Sequence, residues 1–113
     1  MHELSVALGI VKIAENETKK AKAKSVEVIE LEIGLLAGIE MSSLDYVWPS
    51  AVKDTVLEHA EKKITFIQGK AKCIDCDTVF NIKHLYDNCP TCQGNFKGIL
   101  QGKELRVKAL EVV

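Results

Sequence analysis

Two short stretches at opposite ends of the chain carry residue types that bind metals. In the second half, Cys73-Ile-Asp-Cys76 is followed, after 12 intervening residues, by Cys89-Pro-Thr-Cys92. A CxxC pair on a tight turn aims two sulfurs at one point, and two such pairs can set four thiolates at the corners of a tetrahedron. Zinc accepts that geometry and that donor set. Pro90 and Gly94 suit tight turns, and Thr78–Ile82 reads as a strand leaving the first knuckle. A lobe of this size cannot fold on burial alone, so its metal would supply much of its folding free energy. Four thiolates close the coordination sphere, which makes the site structural and leaves no position for catalysis.

Other uses of the four cysteines fit less well. The expected compartment is the cytoplasm, where thiols stay reduced, which argues against two disulfides. A redox iron site would want aromatic shielding, and the lobe holds only Phe80, Tyr86 and Phe96. A nucleic-acid ribbon would want net positive charge. Here Lys70, Lys72, Lys83 and Lys97 are offset by Asp75, Asp77 and Asp87.

The second stretch is the amino terminus, Met1-His2-Glu3. A bulky second residue leaves Met1 in place. A free α-amino group, a backbone amide and an imidazole then follow in order and can close adjacent chelate rings. Such an all-nitrogen, nearly planar set suits Ni(II) or Cu(II), with deprotonated amides completing the square. Zinc gains nothing from planarity and prefers the thiolates. The remaining histidines carry less: His59 lies at a polar helix end, and His84, between the knuckles, reads as a surface residue. No nucleophile–base set and no phosphate-binding glycine loop is visible, so an enzyme is not expected.

The elements that must position these groups are legible in outline. The chain has 113 residues, 47% apolar and 27% charged, with net charge −1. That fits one compact body with a satellite and argues against a nucleic-acid or anionic-membrane binder. No apolar run approaches the roughly 20 residues that span a bilayer. From Leu4 to about Lys22, Leu4, Ala7, Leu8, Val11, Ala14 and Ala21 recur at helical spacing. Ser25–Gly34 alternates as a strand, with Ile29, Leu31 and Ile33 on one face and Glu30 and Glu32 on the other. Ser42 and Asp45 fit a capping box that opens a second helix. Its stripe is Leu44, Val47, Trp48, Ala51, Val52 and Val56, and Tyr46 and Trp48 are assigned to the core. Pro49 predicts a kink or a later start. Lys63–Gly69 and Lys103–Val113 read as strands. The expected fold is α+β, a small three-stranded sheet with two helices plus an inserted zinc-ribbon lobe. The body would be 1–69 with 103–113 and the lobe 70–102.

The combination of "MHE" at the start, Ile33-Gly34, an acid at Glu40 and the CxxC…CPxC pair resembles the HypA/HybF family of hydrogenase nickel-incorporation proteins along essentially the whole chain. The resemblance implies a nickel metallochaperone with Ni(II) as cargo and Zn(II) as a structural ion. It implies that the Met1 amino group, His2, the Glu3 amide and nearby Glu3 and Glu40 carboxylates form the nickel site. Cys73, Cys76, Cys89 and Cys92 would hold zinc. Implied partners are a hydrogenase maturation GTPase and the [NiFe] hydrogenase large subunit. A strand returning after an excursion lobe leaves a homodimer, through strand exchange, as an open arrangement. The rival function is a zinc-ribbon module for protein or nucleic-acid binding, with the terminus incidental.

Overall fold

The computed structural model describes residues 2–113. Their elements are α1 (Glu3–Lys20), β1 (Val26–Gly34), α2 (Met41–Val52), β2 (Glu61–Ile67), β3 (Gly69–Cys73), β4 (Val79–Ile82), β5 (Lys97–Gln101) and β6 (Leu105–Val112). The strands form two sheets, ordered β2-β1-β6 and β4-β3-β5. This is the α+β architecture of two helices, a three-stranded sheet and a zinc-ribbon-like lobe that the sequence predicts. No described helix is long and apolar enough to cross a membrane.

The chain divides into two compact units. The first comprises the chain up to Glu32, Ile39–Thr65 and Arg106–Val113. Its core collects Ala7, Ile10, Val11 and Ala14 of α1, Ile29 and Leu31 of β1, and Leu44, Trp48, Ala51 and Val52 of α2, with Leu57. The α1 stripe lies slightly round from the expected one. Leu4 and Leu8 are half exposed, whereas Ile10 and Thr18 are buried. Ser25 and Val113 exchange backbone hydrogen bonds beside the start of β1, so the C-terminal strand does return to the first sheet. Glu32 of β1 pairs with Arg106 of β6.

The second helix differs from expectation at its start. It begins at Met41 with Glu40 as N-cap, runs through Pro49 and ends at Val52. Ser42 therefore sits inside the first turn and cannot serve as the cap of a capping box. Pro49 lacks the N–H that would bond the Asp45 carbonyl, and the helix stops three residues beyond it. Tyr46, assigned to the core, is 86% exposed, while Trp48 is buried. Two residues along a helix is about 200°, so Tyr46 points away from the Leu44–Trp48 stripe.

The second unit comprises Ile33–Gly38 and Phe66–Leu105. The strand expected over Lys63–Gly69 is interrupted at Gln68, and Gly69 opens β3 instead. Gly69 pairs with Ile82, and a Cβ there would run into the Ile82 carbonyl oxygen. In β3, Gly69, Ala71 and Cys73 are buried and Lys70 and Lys72 exposed. Only Ala71, Cys73, Phe80, Ile82 and Cys89 make up the buried cluster, with Leu36 and Ile99 packed against it. Two of these five are thiols, so apolar burial contributes little to the stability of this unit.

Candidate metal centres

The two knuckles are built alike. In the first, Asp77 N–H donates to the Cys73 carbonyl (3.0 Å) and Cys73 N–H to the Thr78 carbonyl (2.9 Å). In the second, Gln93 N–H donates to the Cys89 carbonyl (2.8 Å) and Cys89 N–H to the Gly94 carbonyl (3.0 Å). The residue after each second cysteine is left-handed, Asp77 at φ 61° and Gln93 at φ 63°. That single reversal turns the chain so that both sulfurs of a pair face the same side. Gly94 leaves room for this packing, because a Cβ there would sit 2.7 Å from Asp75 Oδ2 and 3.2 Å from Cys92 Sγ.

The four sulfurs lie within 4.8 Å of one another. Cys73 and Cys92 approach to 3.5 Å and Cys76 and Cys89 to 3.6 Å. A tetrahedron with metal–sulfur bonds of about 2.3 Å has edges of about 3.8 Å, so the cluster fits a zinc-sized tetrathiolate. Cys73 and Cys89 are buried while Cys76 and Cys92 are exposed. The cluster thus closes one side of the lobe's core and opens to solvent on the other.

The two exposed thiols are pushed in opposite directions. Hydrogen bonds from the Thr78 hydroxyl and backbone pull the Cys76 thiol down to about 6. For Cys92 the Gly94 backbone acts downward, but contacts with Cys73 and Cys76 together with desolvation leave it raised to about 12. Crowded thiols resist joint ionisation, and a bound divalent cation removes that resistance by deprotonating its thiol ligands.

Between the knuckles, Asp87 fastens a turn. Its Oδ2 accepts from Lys83 N–H at 2.9 Å and His84 N–H at 3.0 Å, and these bonds hold its carboxyl below the usual carboxylate range. His84 stacks on Tyr86, with ring centroids 4.9 Å apart and planes 8° from parallel. Both rings are exposed, in line with a surface role for His84. Asp87→Ala should abolish hydrogen-exchange protection at the Lys83 and His84 amides while the metal content of the lobe stays unchanged. Protection retained in the variant would mean that the turn stands without its carboxylate.

The amino-terminal candidates are arranged differently. His2 is the N-cap of α1, exposed, with its carbonyl accepting Val6 N–H at 3.1 Å. Met1 lies outside the described residues. The first N–H groups of a helix have no intrahelical acceptor, and no side chain caps α1. The His2 and Glu3 amides are therefore not committed to the helix ladder. Glu3 Oε2 accepts the Glu40 backbone N–H at 3.2 Å, joining the start of α1 to the start of α2 across 37 residues. Glu40 Oε1 in turn accepts the Ser42 hydroxyl at 2.8 Å. Among the described residues, the four cysteines form the one group of three or more His, Cys, Asp or Glu ligand atoms that converge. Glu3 and Glu40 are brought together, and His2 is adjacent to Glu3 in the chain. Local sequence reading missed the left-handed residues Asp77 and Gln93. The equal offsets of Thr78 and Gly94 from their knuckles were the available signal.

A family model described as "Hydrogenase/urease nickel incorporation, metallochaperone, hypA" matches residues 1–112. The hydrogenase maturation factor HypA of Parabacteroides distasonis is 42% identical over 112 residues, covering 99% of this chain and 97% of that protein. That of Azotobacter chroococcum mcd 1 is 38% identical, covering 99% of each. The solution structure of the Ni metallochaperone HypA from Helicobacter pylori is similar with a TM-score of 0.73 at 27% identity, covering 100% of this chain and 98% of that one.

Proposed function

The chain belongs to the HypA family of hydrogenase/urease nickel-incorporation metallochaperones, and we propose that it binds Ni(II) at its own amino terminus and hands it on during hydrogenase maturation. The ligands are the Met1 amino group, the His2 imidazole and backbone nitrogen, and the Glu3 amide. These are nitrogen donors on consecutive residues, a set that suits Ni(II). The Glu3 and Glu40 carboxylates supply negative charge beside it. That charge matters because the N-terminal ends of helices are positive and by themselves repel a cation. Cys73, Cys76, Cys89 and Cys92 hold a structural Zn(II). The body, 1–69 with 103–113, thus carries the cargo, and the 70–102 lobe carries the resident ion. The chain acts as a carrier and not as an enzyme. It works in the cytoplasm, with a hydrogenase maturation GTPase and the [NiFe] hydrogenase large subunit as partners.

The observation that supports this reading most is the family match running from residue 1 to 112, taking in the amino terminus and both knuckles together. The carrier role also suits the chemistry. Exchangeable nitrogen ligands on an exposed terminus can release an ion on encounter, whereas a half-buried thiolate cage cannot do so readily.

Complementation tests the proposal. In cells lacking this protein, the [NiFe] large subunit should accumulate without nickel. The wild-type chain should restore its nickel, and His2→Ala at equal protein level and equal zinc content should not. Restoration by His2→Ala would move the function to the ribbon as a binding module.

A further inference from the structure

We propose that Ser42 is a positioning residue for the nickel site, acting through the carboxylate of Glu40; this rests on the nickel reading above. A serine at the N-cap of a helix ordinarily turns its hydroxyl to a backbone N–H of the first turn. Ser42 does not. It lies one residue inside the helix and donates to Glu40 Oε1 at 2.8 Å, while Glu40 N–H donates to Glu3 Oε2 at 3.2 Å. One short chain of hydrogen bonds therefore runs from Ser42 through Glu40 to Glu3, the neighbour of His2.

The charges make this arrangement unusual. The Glu3 carboxylate takes the Glu40 backbone N–H, the Glu40 carboxylate takes the Ser42 hydroxyl, and among the described residues neither carboxylate pairs with a lysine, arginine or histidine. Left alone, an exposed glutamate would swing its carboxylate into water, since its side chain has several rotamers to spend. The Ser42 hydroxyl withdraws that freedom from Glu40, so the negative charge is in place before the cation arrives. Groups that orient a metal site from outside its ligand set affect affinity in the same way.

The measurement is a nickel titration of zinc-loaded protein for wild type, His2→Ala, Ser42→Ala, Ser42→Thr, Glu40→Ala and the Glu40→Ala/Ser42→Ala double variant. Ser42→Ala should weaken nickel binding roughly threefold to tenfold, with helix content and zinc unchanged. Ser42→Thr, which keeps the hydroxyl, should restore it. In the Glu40→Ala background the Ser42→Ala change should have no further effect, because the carboxylate through which it acts is gone. A role confined to helix stability would persist in that background, and its persistence would overturn the proposal. Equal affinity in Ser42→Ala and wild type would also overturn it, while His2-dependent nickel binding in the same series would leave the nickel reading intact. Wild-type binding that does not depend on His2 would remove both.

Discussion

Removing zinc with a chelator, or replacing Cys89 by serine, should unfold the 70–102 lobe. Structural zinc contributes on the order of 10–16 kcal/mol of apparent binding free energy in small domains. Whole domains are stable by only about 5–15 kcal/mol, so the metal contribution decides whether this unit folds. The lobe has little to set against its loss. Its buried cluster is Ala71, Cys73, Phe80, Ile82 and Cys89, and the two cysteines among them belong to the four whose sulfurs could hold a metal ion. In the folded lobe the sulfurs approach in two pairs, at 3.5 and 3.6 Å, and without an ion nothing joins them. Amide exchange is the direct check. Protection at Ala71, Phe80 and Ile82 should vanish in chelator, while Leu44 and Ile29, in the core of the other unit, should keep theirs. A lobe that stays protected without metal would contradict the assignment of zinc as its main source of stability.

His2→Ala should weaken nickel binding on the order of 100-fold or more, above the roughly 10–100-fold that outer partners of a metal site typically carry. In the proposed site the imidazole would close a chelate ring with its own backbone nitrogen, and alanine would open that ring and remove a donor together. The fold should not notice. His2 is exposed, caps α1 only through its carbonyl, and makes no side-chain cap. Affinity should also fall as pH falls, because amine, amide and imidazole must each give up a proton to bind the metal. Equilibrium dialysis at two pH values, with zinc determined in the same samples, reads both effects.

Much of this architecture is written locally in the sequence. The alternation over Ile29, Leu31 and Ile33 and the knuckle spacing each impose a geometry that short-range rules capture. The α1 stripe is captured too, apart from its edge at Leu4 and Leu8. The short strands β3 and β5 escape those rules. "GKAKC" and "KGILQ" are rich in glycine and lysine, which have low strand propensity; they become strands because β3 lies between β4 and β5 and pairs antiparallel with both, with a register shift at Lys70/Ala71 against β5. The start of α2 misleads for a different reason. Ser42 looks like a cap, but its hydroxyl is committed to Glu40. The Glu3–Glu40 link spans 37 positions and has no sequence periodicity to announce it. Family resemblance, and not spacing, points to Glu40.

The most direct test of the central claim is a nickel titration of the untagged protein beside a variant carrying one additional residue before Met1, with zinc measured in both. The extension keeps every side chain and removes only the amino group's place next to the His2 chelate ring. One tightly bound nickel is expected in the native protein and its loss in the extended one, at equal zinc. Equal nickel binding by the two would contradict a site built on the amino terminus.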